Sequence, residues 1–415
     1  MARHGGAARR GSALAILAAV GLVEAVCAMP ARARELEPGQ SVFDLPPPPD
    51  YAPHGIRLGA FKLFPDLRVS EQYNDNVFAR PENVQGDFAT IIAPRLDIRS
   101  NWSQHYLGAQ VFSRIIRHAE FESEDTEDVT ALLNGRLDVR RDHHVTGRLR
   151  YQSTTEERGS VDVLNGSTTA RTFNQLEAEL GSQHRFNRFE LQFLTRYSST
   201  DYSDLELRNV DRLRFGTRLS YDVSPRLSAF TNVSYEIRRF PNATARDNTV
   251  VNILAGTTFD INTVFSGELG AGVFIQEPSG SGTVANAQSV VGLALNGSLI
   301  WNPTRRTSVI ATVSRESVPS SSGIAATTIL SEFGLEVQHL AWKNIRLSAD
   351  ATYQTASYTN LNRNDEVFSF TASSEYMINR NVGVGLKYVY RTRSSDFPTQ
   401  NYDNNLIEVS LRFRM

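Results

Sequence analysis

Cysteine is almost missing from this chain: among 415 residues only Cys27 is one. That scarcity excludes a disulfide framework, cysteine-held metal centres and thiolate chemistry. Long apolar runs are equally scarce. The one near the start, residues 13–23, is interrupted by Glu24 before it reaches the ~18 residues that a membrane helix needs. An excess of charge is absent too. With 43 Lys and Arg against 45 Asp and Glu, the formal net charge of -2 excludes a strong electrostatic preference for nucleic acid or for an anionic surface.

What is present first is an export signal. Arg3, Arg9 and Arg10 precede the apolar run, and Ala31-Arg32-Ala33 offers a small-x-small cleavage site, so residues 1–33 are predicted to be a signal peptide cut near Ala33. Cys27 lies inside it, with Glu24 and Val26 at positions that an acylation site would fill otherwise. Residues 34–58 then read as a Pro-rich periplasmic linker. The run Pro46, Pro47, Pro48, Pro49, followed by Pro53, favours extended polyproline backbone and forbids a helix. This segment is a periplasmic tail, a docking site for a periplasmic partner, or a piece that folds back to obstruct a pore.

From residue 59 onward one pattern persists. Leu213, Phe215, Leu219 and Tyr221 alternate with Arg212, Arg214, Gly216, Arg218 and Ser220, and the final stretch alternates Ile407, Val409, Leu411, Phe413 and Met415 with Glu408, Ser410, Arg412 and Arg414. A period of two places such sets on opposite faces of a strand. Each stretch is about ten residues long, enough to cross a bilayer at a barrel's tilt. Short turns near Trp102-Ser103, Arg141-Asp142, Phe186-Asn187, Ser224-Pro225, Ile261-Asn262, Asn302-Pro303, Lys343-Asn344 and Arg380-Asn381 alternate with longer polar segments at 74–86, 119–128, 156–170, 199–209, 240–248, 276–287, 318–325, 358–365 and 393–403. Such sorting of loops belongs to an all-β fold, a transmembrane antiparallel up-and-down β-barrel of about 18 strands over residues 59–415, in the outer membrane. A soluble sandwich has no need of it. The last strand would close on the strand near residues 61–73, with Val409, Leu411, Phe413 and Met415 as its lipid face and assembly signal. The outer-membrane assembly machinery is the partner this implies.

The opposite face lines the lumen in this reading. It carries Arg136, Arg148, Arg150, Glu177, Glu179, Glu190, Arg196, Arg212, Arg214, Arg218, Glu236 and Arg238, in strand-sized blocks of one sign. Such blocks either form cross-strand ion pairs that hold a wet wall in shape or, where arginine is in excess, attract anionic solutes. The remaining wall is milder: Ser266, Gly270, Asn296, Thr312, Ser348 and Ser369 are small or hydroxylic, with Glu268, Glu316, Glu332 and Glu336 among them. Small hydroxyls and amides suit a hydrated sugar chain as well as any diffusing solute.

No catalytic constellation stands out. His143-His144 lacks metal-ligand spacing to other histidines, Asn74-Asp75-Asn76 is ordinary turn chemistry, and the acidic stretch 120–128 has no partnered serine and histidine. An enzyme is not expected, nor a cofactor or a resident metal.

Leu63-Phe64-Pro65, Tyr73-Asn74-Asp75-Asn76-Val77-Phe78, Ile92-Ala93-Pro94 and the stretch from Ser100 through Asn101-Trp102-Ser103-Gln104 to His105 carry a resemblance. There the chain resembles a family of outer-membrane β-barrel porins associated with exopolysaccharide and capsule export in Gram-negative bacteria. These motifs cover the first two hairpins. The resemblance implies passage of secreted polysaccharide through a passive, water-filled conduit, with a periplasmic polysaccharide-export protein as partner. A general or anion-preferring diffusion porin for small hydrophilic solutes, and an adhesin-like barrel acting through its outer loops, are the alternatives.

Overall fold

The computed structural model describes residue 36 and residues 39–161, 170–262, 264–280, 289–320, 327–359 and 363–415. The expected signal peptide, its cleavage site and Cys27 lie outside them. Among the described residues a short β1 (Ile56–Leu58) precedes eighteen long strands. They are β2 (Phe61–Asn74), β3 (Asp87–Ser100), β4 (Tyr106–His118), β5 (Thr126–Arg140), β6 (His143–Thr155), β7 (Thr172–Phe186), β8 (Phe189–Tyr202), β9 (Val210–Ser224) and β10 (Leu227–Arg239). There follow β11 (Asn248–Ile261), β12 (Phe265–Pro278), β13 (Val290–Thr304), β14 (Thr307–Pro319), β15 (Thr327–Trp342), β16 (Ile345–Tyr358), β17 (Asn364–Met377), β18 (Val382–Ser395) and β19 (Tyr402–Arg414). Each pairs antiparallel with its sequence neighbours, and β19 pairs back onto β2, so β2–β19 form a closed barrel of 18 strands.

Alternation explains why these segments are strands in a bilayer. On β19, Val409, Leu411, Phe413 and Met415 are 44–57% exposed, as are Leu219, Tyr221, Leu293 and Trp301 on other strands to a similar degree. Such a surface is intolerable in water over a whole molecule. In lipid it is the solvated face, and ring closure leaves no backbone edge unpaired. The seam follows the same parity, with Leu411 opposite Val69 and Phe413 opposite Leu67. Inside the seam Arg412 is bonded to Asp66 at 2.7 Å and to Glu375 at 2.8 Å.

The short turns lie at the periplasmic ends of the hairpins, where the sequence puts them. Asn187 and Asn262 take positive φ of 55° and 65°, a conformation that asparagine tolerates better than most residues. At Asn302-Pro303 the strand continues to Thr304, and the turn falls two residues later. The strands also run 13–16 residues rather than ten, and β8, β12 and β18 continue into what read as loop. At about 3.3 Å per residue and a tilt near 40° that is a wall roughly 33–40 Å high, taller than the ~25 Å apolar band. Above the lipid, outward positions such as Glu71, Asp211, Glu366 and Asp403 are acidic, so the alternation ends while backbone pairing continues.

β2 reaches farther into the periplasm than the chain's last residue. The pairing with β19 ends at Arg414 and Asp66, and β1 takes over the exposed edge, with Ile56 opposite Leu63 and Leu58 opposite Phe61. Residues 39–54 do not trail away from the barrel. They lie in its periplasmic mouth, residues 39–45 against the inner faces of β12–β16 with Val42 fully buried, and Tyr51 and His54 against Arg414 and Arg380. Pro46–Pro49 sit in this strap, and Pro48 accepts a turn of backbone bonds from Tyr51 and Ala52.

Candidate functional site

All twelve charged residues read from the sequence as luminal lie on the parity opposite the exposed apolar side chains. The structure divides them by what they touch. Arg196 pairs with Glu179 at 2.5 Å, Arg214 with Glu236 at 3.1 Å, and Arg238 with the same Glu236 at 2.5 Å. Arg136 binds Asp138 close to the periplasmic turn, and Glu190 accepts a bond from Gln192. The Arg196–Glu179 and Arg214–Glu236 pairs cross neighbouring strands about 4.8 Å apart, and the other three contacts join residues two apart on one face of a single strand.

Arg218 is fixed more elaborately. Both of its terminal nitrogens reach Glu268, at 2.8 and 2.7 Å, and its guanidinium lies 3.8 Å from the centre of the Phe230 ring. The ring itself lies over Gly256 and Gly270, where an added Cβ would stand 2.6 and 3.1 Å from it. Two glycines on adjacent strands thus let an aromatic ring lie flat on the wall with an arginine above it.

Arg148, Arg150 and Arg212 are different. Arg148 donates to Asn134 at 3.2 Å and Arg212 to Ser198 at 3.0 Å, both neutral partners. Among the described residues none of the three has a carboxylate within ion-pair distance, although Glu179 and Glu177 stand opposite Arg148 and Arg150 in register. The strand carrying the first two, β6, is diametrically opposite β15 in a ring of this size. On that far wall Glu332 and Glu336 of β15 and Asp350 of β16 face inward, with Glu336 and Asp350 directly paired in register. Among the described residues their bonds come from neutral neighbours: Gln354 to Glu332 at 3.3 Å, Gln338 to Glu336 at 2.9 Å, Thr352 to Asp350 at 3.3 Å. Arg148, Glu336 and Asp350 stand at similar heights above their periplasmic turns. A basic wall therefore faces an acidic one.

The extracellular mouth is narrowed by the segment after β6. Residues 156–161 turn into the barrel and meet its far side, where Val161 packs with Ala356, Tyr358 and Val367. Arg393, fully buried, donates to the carbonyls of Ser160 at 3.1 Å and Val161 at 3.3 Å, and to Asp365 at 2.6 Å. Asp365 also accepts from Arg363, Ser395 and Tyr358, so a buried carboxylate is balanced by two guanidinium groups and two hydroxyls. Glu157 pairs with Arg391 at 2.7 Å and Arg158 with Glu124. Enclosure by the wall works to raise the Glu157 carboxyl, but Arg391, helped by Arg114 and Lys387, outweighs it and holds the group below the ordinary glutamate value.

Sequence reasoning spread this clamp over four extracellular loops, 119–128, 156–170, 358–365 and 393–403, and missed it. A signal existed: Ile91-Ile92, Ile115-Ile116 and Val250-Val251 are apolar at both parities. The inward member of each is buried, Ile91 and Ile116 together and Val250 against Phe274 and Ala294. Apolar residues on the inner parity mark where the upper wall packs side chains together, as Val367 does beneath Val161.

Residues 48–415 match the family described as Putative beta-barrel porin 2. The chain belongs to this porin family. As a porin it is an outer-membrane channel protein and not an enzyme. The family's name specifies no substrate and no export system. No curated protein matches the porin. In fold it is similar to OccAB3 of Acinetobacter baumannii, at 9% identity over 86% of this chain and 100% of that one, with a TM-score of 0.48. It is similar also to OpdO of Pseudomonas aeruginosa, at 12% identity over 86% and 98% of the two chains with a TM-score of 0.46. A BenF-like porin of Pseudomonas fluorescens Pf-5 gives 10%, 85% and 99%, and 0.45. Likenesses this distant say nothing about what passes through the porin.

Proposed function

We propose that this porin passes small hydrophilic solutes by diffusion and orients dipolar or zwitterionic ones between its two charged walls. The observation that carries this reading is the pair of unneutralised sets: Arg148 and Arg150 on β6, and Glu332, Glu336 and Asp350 on β15 and β16 across the lumen. Paired ladders cancel their own fields. Unpaired groups on opposite walls do not, and a field across a narrow aqueous path favours solutes that carry both charges. Liposome swelling tests it: zwitterionic amino acids should enter faster than neutral sugars of the same size, and equal rates would contradict it.

Export of a secreted polysaccharide is the second reading. It draws support from the small and hydroxylic inner residues of β12–β17, Ser266, Asn296, Thr312, Ser348 and Ser369 among them, and from the segment at Pro46–Pro49, which a periplasmic export protein could engage. Loss of polysaccharide secretion on deleting the gene would support it. The adhesin alternative has less behind it, because residues 156–161 are engaged inside the barrel.

A further inference from the structure

Among the described residues one segment enters this barrel from each mouth, and the two are held in different ways. The extracellular one, residues 156–161, is fastened by the ion pairs of Glu156 with Arg208, Glu157 with Arg391 and Arg158 with Glu124, and by the bonds of Arg393 to the carbonyls of Ser160 and Val161. The periplasmic strap, residues 39–54, is fastened mainly through its backbone to neutral side chains. Gly39 N–H donates to Ser266 at 2.8 Å, Val42 N–H to Ser308 at 2.8 Å and Phe43 N–H to Gln338 at 3.3 Å, while the Asn302 amide donates to the Gln40 carbonyl at 3.0 Å. The remaining contacts are long or single: Arg346 to the Leu45 carbonyl at 3.5 Å, Arg414 to the Tyr51 carbonyl at 3.4 Å, and His54 against Arg380. Among the described residues no ion pair ties the strap to the wall.

The four wall groups that hold the strap, Ser266, Asn302, Ser308 and Gln338, are the hydroxyl and amide groups that would otherwise hydrate the periplasmic mouth, and each is 6% exposed or less. Exchanging backbone partners for water costs them little, since a neutral hydrogen bond contributes only modestly once water competes. Val42 and the Phe43 ring beneath Arg346 are the apolar anchors. The far end of the strap is covalently continuous with β1, which is paired to β2, so a released strap stays tethered at the mouth.

We infer that residues 39–54 are a displaceable strap that shuts the β12–β16 side of the periplasmic mouth, so that the channel has a restricted and an open state differing in the strap's seating. The inference rests on the reading of the barrel as a channel. Its test is single-channel recording in planar bilayers with three proteins: the full chain, a variant lacking residues 39–54, and Val42→Cys/Ser308→Cys. The described barrel holds no cysteine of its own, so oxidation of that pair pins the strap. The deletion should conduct at a steady level severalfold above the full chain's resting level. The oxidised double variant should stay at the resting level without upward excursions, and reductant should restore them. A deletion that conducts like the full chain, or oxidised and reduced traces that match, would overturn the strap. Silence from all three proteins would overturn the channel reading, and the strap with it.

Discussion

The Tyr402 hydroxyl donates to the carbonyl of Gly159 at 2.8 Å, joining the inserted segment after β6 to the first residue of β19. Gly159 sits at φ +76°, and a Cβ there would lie 2.3–2.5 Å from the Tyr402 ring, so both its backbone conformation and its bareness are required. Gly159→Val should dislodge residues 156–161 and raise single-channel conductance. Tyr402→Phe, which loses one hydrogen bond of about 1 kcal/mol and keeps the ring, should change conductance far less. Equal effects would mean that the Tyr402 hydroxyl's hydrogen bond, and not the turn's conformation, holds the segment.

The Glu157–Arg391 pair gives the same mouth a pH dependence. The Glu157 carboxyl is held below its ordinary value, so its contribution is complete at neutral pH and is lost only as pH falls through that lowered value. Acid should therefore increase open-channel noise, with no change between pH 6 and 8. Glu157→Gln should be noisy at neutral pH and should lose the acid response, because no carboxylate remains to protonate.

Asp365 offers a sharper perturbation. Asp365→Asn leaves Arg363 and Arg393 facing each other without their shared carboxylate in a site where all three are almost fully buried. Breaking such a cluster from one side costs on the order of 3–5 kcal/mol. Residues 156–161 should become cleavable by external protease while the barrel keeps its heat-modifiable migration on gels. Loss of the folded band would mean that the cluster supports the barrel and not the insert alone.

The closing strand separates two kinds of damage. Phe413→Ser with Met415→Ser removes lipid-facing surface worth on the order of 2 kcal/mol per residue, and should reduce the folded fraction recovered from membranes. Arg412→Ser instead breaks bonds to Asp66 and Glu375 inside the seam. It should insert normally and lower the temperature at which the folded band is lost. If both variants insert poorly, the seam is an assembly requirement as well.

The barrel was legible in the sequence because lipid enforces parity: one face of each strand must be apolar, so Leu213, Phe215 and Leu219 announce themselves. Periplasmic turns were legible for the same reason, as interruptions of that parity. Above the lipid the enforcement stops, and strands such as β8 and β18 continue through polar residues that alone suggest loop. The inner wall was legible as a set of positions and not as partners. Arg218 and Arg212 look alike in sequence, but Glu268, two strands beyond Phe230, neutralises the first, whereas the second meets a serine. Which arginines remain unneutralised depends on register across strands distant in the chain.

The most direct test of the polarised channel is the reversal potential across a planar bilayer under a KCl gradient, compared between Arg148→Gln/Arg150→Gln and Glu332→Gln/Glu336→Gln/Asp350→Asn. The account predicts opposite shifts, the first toward cations and the second toward anions. Shifts in one direction, or none in either variant, would contradict it.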